Sequence, residues 1–196
     1  MDNSHKIRLH DTFSAIAPLS ENDVELAVQY FTTQTYQPKE YIFHSGDLVS
    51  DVHFVLDGIG RYFYIDEQGH ERNKSLVRVG GAFTSMGSLI ESSPSPFFAQ
   101  ALTECTVASI RYESLVELSR SHRNWGEFLR KLFERLVLKK ERREAGFLLL
   151  SAKERYQEFL TEFGDESKNI PLRHVAMYIG VTDVTLSRIR REMGLT

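Results

Sequence analysis

Residues 170–193, IPLRHVAMYIGVTDVTLSRIRREM, form the stretch that decides the fold, and their spacing predicts two short helices joined at a glycine. The apolar residues of the first helix recur at the i, i+3, i+4, i+7 spacing of one buried face: Leu172, Val175, Ala176 and Ile179. Gly180 supplies the backbone freedom of a tight turn, and Thr182 is placed as the N-cap of the second helix. A small residue at the crossing, a glycine turn and a second helix with a polar outer face are what a helix-turn-helix requires.

The second helix has two faces of different character. Its apolar positions predict a buried side: Leu186, Ile189 and Met193. In helix-turn-helix proteins the N-terminal half of this helix enters the major groove of DNA, and the residues there are Thr182, Asp183, Val184, Thr185, Ser187 and Arg188. Three nearby arginines are placed for phosphate contacts: Arg173, Arg190 and Arg191. The alternative is an ordinary αα-hairpin at a chain terminus.

The charge is distributed unevenly along the chain. The net charge of −3 argues weakly against nucleic-acid binding, but residues 1–119 carry 8 basic and 16 acidic side chains, against 16 and 11 in residues 120–196. An acidic first half joined to a basic second half is typical of a sensor attached to a nucleic-acid-binding region. A solvated helix face that is basic for no specific reason is the alternative.

The composition excludes several classes of protein. The one cysteine, Cys105, has no partner for an internal disulfide and suits a reducing compartment. No apolar run is long enough to span a membrane and the N-terminus lacks a signal-peptide pattern, so we expect a cytoplasmic protein without a membrane partner.

Between residues 35 and 111, short strand-like runs end at turn residues. The turns include Asp57-Gly58, Asp66-Glu67-Gln68-Gly69 and Gly80-Gly81. No helix-length pattern separates these runs, which indicates an antiparallel sandwich or barrel rather than parallel βαβ units.

After Tyr112 the periodicity becomes helical, with a long apolar stripe on a basic helix. One explanation is burial of the stripe against its own β-domain, and the one we favour is a helix shared across a two-fold dimer axis. The predicted dimer seam consists of Trp125, Phe128, Leu129, Leu132 and Leu136.

Together these features resemble the Crp/Fnr family of bacterial transcription regulators. The resemblance rests on EYIFHSGDLVSDVHFVLDGIGRYFYIDEQGHE, similar to the opening strands of a cyclic-nucleotide-binding domain, on LSAKERYQEFL, and on the helix-turn-helix stretch. It implies an α+β fold: an antiparallel β-roll (a double-stranded β-helix) in residues 1–118, a long dimerisation helix in 119–149, and an all-α helix-turn-helix domain in 150–196. A departure from the family is that this last domain lacks a clear wing, because nothing strand-like lies between Gly164 and Ile170. The resemblance also implies a homodimer that binds double-stranded DNA, with RNA polymerase as a further partner. By position in the family motif, Arg188 matches an arginine that reads guanine.

One departure from the family concerns the effector. Cyclic-AMP-responsive members use a glutamate for the ribose and an arginine for the phosphate, whereas Ser85 and Met86 stand where the glutamate would fall, and residues 94–96 replace the arginine. Residues 80–100 contain no arginine or lysine, so a bound phosphate would lack a charge-assisted contact there. We therefore expect no cyclic AMP and no resident cofactor, and any effector should be less charged and more apolar. The predicted effector pocket consists of Ser85, Met86, Gly87, Ser95, Phe97 and Phe128.

Two other functions are compatible with a β-roll. A regulator without a small-molecule effector would use the roll only as a scaffold for a dimer or partner. A cupin-like metalloenzyme would need clustered histidines and carboxylates, but His44, His53 and His70 are isolated in the sequence and predict neither a metal site nor a catalytic one. We therefore expect a protein that is not an enzyme.

Overall fold

The computed structural model describes residues 3–195, which form eight α-helices and eight β-strands. The helices are α1 (Asn3–Ser14), α2 (Glu21–Ala27), α3 (Met86–Glu91), α4 (Tyr112–Ser121), α5 (Arg123–Leu149), α6 (Ala152–Phe163), α7 (Leu172–Ile179) and α8 (Asp183–Glu192). The strands are β1 (Thr32–Tyr36), β2 (Tyr41–Phe43), β3 (Asp51–Asp57), β4 (Ile59–Ile65), β5 (Glu71–Arg78), β6 (Ala82–Phe83), β7 (Phe98–Ala101) and β8 (Cys105–Arg111). The predicted α+β fold class is confirmed.

The strands form two four-stranded antiparallel sheets that face each other as a β-roll. Sheet 1 has the strand order β1-β8-β3-β6, and sheet 2 has the order β2-β7-β4-β5. Gly58, between β3 and β4, has a φ of 84°, and a Cβ there would meet the Glu104 carbonyl oxygen at 2.0 Å. Only glycine fits this junction, where the chain passes from one sheet to the other.

Helices α1, α4 and α5 cover the outer face of sheet 1. Residues that alternate along β3 point outward and join a buried aromatic cluster with the helices. The rings of this cluster, here called the aromatic contact, belong to Phe13, Phe31, Phe54, Trp125 and Phe128.

The long helix begins later than the sequence predicted. The predicted segment started at residue 119, but α4 continues to Ser121 and His122 interrupts the helix with extended backbone (φ −132°, ψ 119°) before α5 begins at Arg123. The Trp125 indole nitrogen donates a hydrogen bond to the Asp23 carbonyl oxygen at 3.1 Å, which ties the start of α5 to α2.

The C-terminal domain, residues 150–195, is built from the three helices α6, α7 and α8. Ser151 and Glu154 form the capping box predicted by their spacing, and Gly180 ends α7 in the left-handed conformation (φ 73°, ψ 40°). The predicted helix-turn-helix geometry is present, except that Leu172 is exposed and does not join the buried face of α7. Residues 164–169 form a 3-10 helix, so no wing strand lies in that segment.

Candidate DNA-binding surface and effector pocket

The outer face of α8 carries most of the predicted base-contacting residues. The Thr182 side chain accepts a hydrogen bond from the Thr185 backbone N–H at 3.2 Å, which fixes the start of the helix. Val184 is 80% exposed and the Arg188 side chain is 72% exposed, with its Nε 3.9 Å from Glu192 Oε1. Leu186 and Ile189 are buried on the opposite side. This division leaves a mixed polar and apolar surface facing solvent.

The three arginines predicted to contact phosphates differ in their surroundings. Arg191 is exposed. Arg190 donates hydrogen bonds to the Tyr156 hydroxyl at 2.7 Å and to the Leu195 carbonyl oxygen at 2.8 Å, which favours a structural role over a phosphate contact. Arg173 lies on α7, with its Nη2 3.8 Å from Glu71 Oε2 on the β-roll.

The predicted dimer seam divides into buried and exposed parts. Trp125 and Phe128 are fully buried in the protomer, and Leu129 and Leu132 pack partly against the same cluster. Trp125 and Phe128 therefore cannot form a surface for a partner, and that part of the prediction is wrong. Exposed apolar side chains lie further along the helix: Leu136, Val137, Leu138, Phe147, Leu148 and Leu149.

A cleft of about 1170 Å³ lies between the second half of α5 and α6. Apolar side chains, among them Leu138 and Leu149, line it together with basic ones, among them Arg135 and Arg142. The cleft thus continues the apolar and basic surface of α5.

The two serines of the predicted effector pocket are buried at the edge of the roll. The Ser95 hydroxyl donates to the Phe97 carbonyl oxygen at 2.9 Å, and the Ser95 carbonyl oxygen accepts from Gly46 N–H at 2.8 Å. In the part of the chain that the structure describes, the Ser85 hydroxyl is buried without a hydrogen-bond partner. Met86 and Gly87 begin α3 beside it and are half-buried.

Aromatic side chains pack the inner face of sheet 2 next to these serines. Tyr62 lies with its ring centroid 5.1 Å from that of Phe97, and its hydroxyl accepts a hydrogen bond from Thr84 N–H at 2.5 Å. Burial raises the pKa of the Tyr62 hydroxyl far above its ordinary value, so this group stays protonated. Phe128 packs in the aromatic contact outside sheet 1, not with Phe97, and its predicted place in the pocket is wrong.

Lys74 supplies a cation that sequence reasoning missed. In the pairing of β4 with β5, Tyr62 lies opposite Ser75 and Phe63 opposite Asn73, so Lys74 is the extra residue of a β-bulge. Its Nζ lies 3.4 Å from the ring centroid of Phe97.

Burial and the nearby charge of Lys140 lower the pKa of Lys74 to about 8. The predicted pocket therefore does have a cationic neighbour, although residues 80–100 contain none. No local signal marks Lys74, because a bulge depends on the pairing of two strands.

Residues 3–195 contain neither a candidate metal-binding cluster nor a candidate membrane span. No group of three or more His, Cys, Asp or Glu side chains there could hold a metal ion, and no helix there could span a membrane. His53, one of the histidines considered above, lies with its Nδ1 2.7 Å from the Ser109 hydroxyl on the neighbouring strand.

Comparison with known proteins agrees with this architecture. Residues 33–122 match the cyclic nucleotide-binding domain family. The chain is 30% identical over 108 residues to a cyclic AMP receptor protein of Thermus thermophilus, a match that covers 55% of this chain and 48% of that protein. The chain thus spans about half the length of this curated relative.

Solved structures extend the likeness over most of the chain. The c-di-GMP responsive global regulator CLP of Xanthomonas campestris has a TM-score of 0.70 at 17% identity, covering 89% of this chain and 92% of that one. The catabolite activator protein of Thermus thermophilus has a TM-score of 0.56 at 22% identity, covering 93% and 86%. At these identities the likeness establishes the fold, which is the fold that the resemblance to the Crp/Fnr family implied.

Proposed function

We propose that this chain is a sequence-specific DNA-binding transcription regulator that acts as a cytoplasmic homodimer and is not an enzyme. The observation that carries the proposal is the exposed outer face of α8 on a capped helix-turn-helix. A second helix with a buried apolar side and an accessible N-terminal half has the geometry that enters a major groove. RNA polymerase is a further proposed partner, as for regulators of this family.

Arg188 is the proposed reader of a base pair. Its exposed guanidinium has the fork geometry that suits the O6 and N7 atoms of guanine. Val184, also exposed, offers an apolar contact for a thymine methyl group. Arg191 and Arg173 are proposed to bind phosphates, which adds affinity without sequence preference.

The proposed dimer seam is shifted along α5 relative to the sequence prediction. Leu129, Phe133, Leu136 and Val137 follow the spacing of one helix face, and the last two are exposed. A second copy of the same helix would bury this face. Val137→Glu is the suitable test, because Leu132 packs partly against the protomer's own core.

We expect the Val137→Glu protein to remain folded, to sediment as a monomer at micromolar concentration and to lose most of its DNA affinity. Leu26→Glu, a substitution at an exposed apolar residue of α2, is the matched control. A folded Val137→Glu dimer would contradict this seam.

The roll is proposed not to respond to cyclic AMP. Residues 80–100 provide no cation for a phosphate, and Tyr62 and Phe97 fill part of the inner face of sheet 2. The same packing supports a second candidate, a regulator whose roll is a scaffold without a small-molecule effector. Mass spectrometry of molecules released from the denatured protein separates the two candidates.

Selection from a random pool of double-stranded DNA tests the proposed function directly. We expect enrichment of a pseudo-palindrome with half-sites about one helical turn, roughly 34–36 Å, apart. A protein with Val184 and Arg188 both changed to Ala is the control and should enrich a site whose preference is relaxed at the base pairs that these two residues contact. Failure of the wild-type protein to enrich any site would refute the proposal.

A further inference from the structure

A fully buried arginine lies on the outer face of sheet 2, opposite to the effector side. Arg61 on β4 is 1% exposed. Its Nε and Nη2 donate to Gln100 Oε1 at 3.0 and 2.7 Å, and its Nη1 donates to Glu71 Oε2 at 2.6 Å and to Asn73 Oδ1 at 3.1 Å. The guanidinium also stacks 3.8 Å from the centroid of Phe63. Three strands thus hold this group in one orientation.

The same cluster reaches the first helix of the helix-turn-helix. Arg61 Nη1 lies 3.3 Å from Nδ1 of His174 on α7, and Asn73 Nδ2 donates to the His174 carbonyl oxygen at 3.0 Å. Arg173 Nε lies 3.2 Å from the other ring nitrogen of His174. We call Arg61, Glu71, Asn73, Gln100 and His174 the polar contact.

The charges around His174 keep its ring neutral. Burial and the positive charges of Arg61 and Arg173 lower the pKa of His174 to about 4, against the opposing influence of Glu71. A neutral imidazole accepts through one nitrogen only, so one of the two arginines bonds to it while the other lies close by.

Strand β4 connects the polar contact with the opposite face of the sheet. Tyr62 follows Arg61 and points inward, where its hydroxyl binds the Thr84 backbone at the start of the predicted effector segment. A shift of this strand would therefore disturb the contact with His174 on one face of the sheet and the contact with Thr84 on the other.

We propose that Arg61 is a positioning residue for DNA binding: through His174 and Asn73 it fixes the orientation of the helix-turn-helix on the roll. In the dimer that orientation sets the distance between the two recognition helices. A planar guanidinium with several hydrogen bonds specifies direction, whereas apolar packing alone allows the domains to slide. The inference rests on the proposed function, because it assigns Arg61 a role in binding two half-sites together.

The test measures which spacing between the two half-sites is bound best. A residue that served only the stability of the protein would not change this preference. Arg61→Gln removes the charge and most of the bonds, and Asn73→Ala is a milder variant that removes the bond to α7. Arg72→Gln is the matched control, because Arg72 is exposed at the end of β5 and its nearest carboxylate is Asp66. Thermal unfolding establishes that each variant is folded.

The spacer between the two half-sites of the DNA selected by the wild-type protein is then shortened or lengthened by two base pairs. We expect wild type and Arg72→Gln to bind the altered DNA about tenfold or more weakly than the selected DNA, since simultaneous engagement of two sites depends on geometry. Arg61→Gln and Asn73→Ala should lose about threefold or less, because a loosely held domain adapts to both spacings. Base preferences within one half-site should stay as in wild type.

Spin labels at Gln68→Cys and Glu192→Cys, both exposed positions, report on domain orientation without DNA. The distance distribution between them should be narrow in wild type and broad in Arg61→Gln. A folded Arg61→Gln protein with the wild-type spacing preference would overturn the inference alone. A second contrary result would be a wild-type protein that selects no DNA while the distance distribution between the labels still broadens in Arg61→Gln. That result would overturn the proposed function, and the role of Arg61 in half-site spacing would fall with it.

Discussion

The two outer faces of the β-roll are covered by contacts of opposite chemistry. On sheet 1 the aromatic contact joins the roll to α1 and α5 through apolar rings. On sheet 2 the polar contact joins the roll to α7 through a buried guanidinium, although Ile59 and Leu76 add apolar packing to the C-terminal domain. Sheet 1 is covered through apolar packing, and sheet 2 contacts the C-terminal domain through a hydrogen-bonded network as well.

The difference has consequences for how each contact can be broken. Apolar packing is non-directional, and its strength depends on buried area and on close fit. A buried charged network depends on complete pairing, because loss of one partner leaves another group unsatisfied in a poorly solvating environment. We therefore expect cavities to disrupt the aromatic contact, and a change in charge to disrupt the polar one.

The largest effect should follow from a cavity in the aromatic contact. Phe128→Ala removes a fully buried ring that lies 4.8 Å from Phe13 and 5.3 Å from Trp125, centroid to centroid. Its free energy of unfolding should fall by about 3–5 kcal/mol. Chemical denaturation followed by tryptophan fluorescence measures this, because Trp125 is the one tryptophan of the chain.

Leu26→Ala, which removes an exposed apolar side chain from α2, is the control and should change the free energy by about 0.5 kcal/mol or less. A Phe128→Ala protein as stable as this control would show that the ring is not part of the core.

A change outside both contacts should affect DNA binding and leave stability as it is. Arg188→Ala removes an exposed side chain that touches neither contact and should weaken binding to the selected site by about 1–3 kcal/mol, with relaxed preference at one base pair. Arg191→Ala, the comparison variant, should weaken binding to all sequences alike and reduce the salt dependence. Fluorescence anisotropy with a series of base-pair substitutions distinguishes them, and an unchanged preference in Arg188→Ala would remove this residue from the readers.

Acid should break the polar contact before the aromatic one. The pKa of His174 is lowered to about 4 in the contact, so the ring takes up a proton near its ordinary value of 6.5 once it is released. The docked state thus loses stability as the pH falls below about 6.5, by roughly 2 kcal/mol between pH 7 and pH 5. The pKa of Glu71 is also lowered, chiefly by its bond to Arg61, so acid weakens the network further near and below pH 4.5.

The spin-label distance between residues 68 and 192 should broaden over this range while Trp125 fluorescence stays constant. His174→Gln, which has no proton to gain, should show little change between pH 7 and pH 5. Equal broadening in wild type and in His174→Gln would assign the acid response to another group.

The sequence predicted the local parts of this molecule well and the long-range parts incompletely. Periodicity and capping residues predicted α7, α8 and the turn at Gly180, because those signals act over a few residues. The apolar stripe of α5 was evident, but burial of Phe128 by the protomer's own rings depends on Phe13 and Phe54, which are distant in sequence.

The pairs that form the candidate pocket and the polar contact are more distant still. Arg61 and His174 are 113 residues apart and lie in two different stretches of the sequence, and nothing within either stretch indicates that they meet. Lys74 reaches the Phe97 ring because the strands that carry or adjoin these residues, β5 and β7, both pair with β4. Such contacts follow from strand pairing and domain docking, which no local pattern specifies.

The smallest expected effect is that of cyclic AMP. We expect it not to bind, and therefore to leave both the aromatic contact and the polar contact unchanged. The cyclic phosphate would find no arginine or lysine in residues 80–100, and Pro94 and Pro96 each lack a backbone donor. Lys74 is the nearby cation, but its Nζ lies over the Phe97 ring and its lowered pKa reflects the cost of keeping a charge there. A phosphate could pair with Lys74 only if the Nζ left the Phe97 ring, and without that pair the neutral donors return less than the desolvation of the phosphate costs. Calorimetric titration of the wild-type protein with cyclic AMP should therefore give no saturable heat in the micromolar range, and Lys74→Met should behave in the same way. Saturable heat that disappears in Lys74→Met would instead identify this lysine as the phosphate ligand that the cassette lacks.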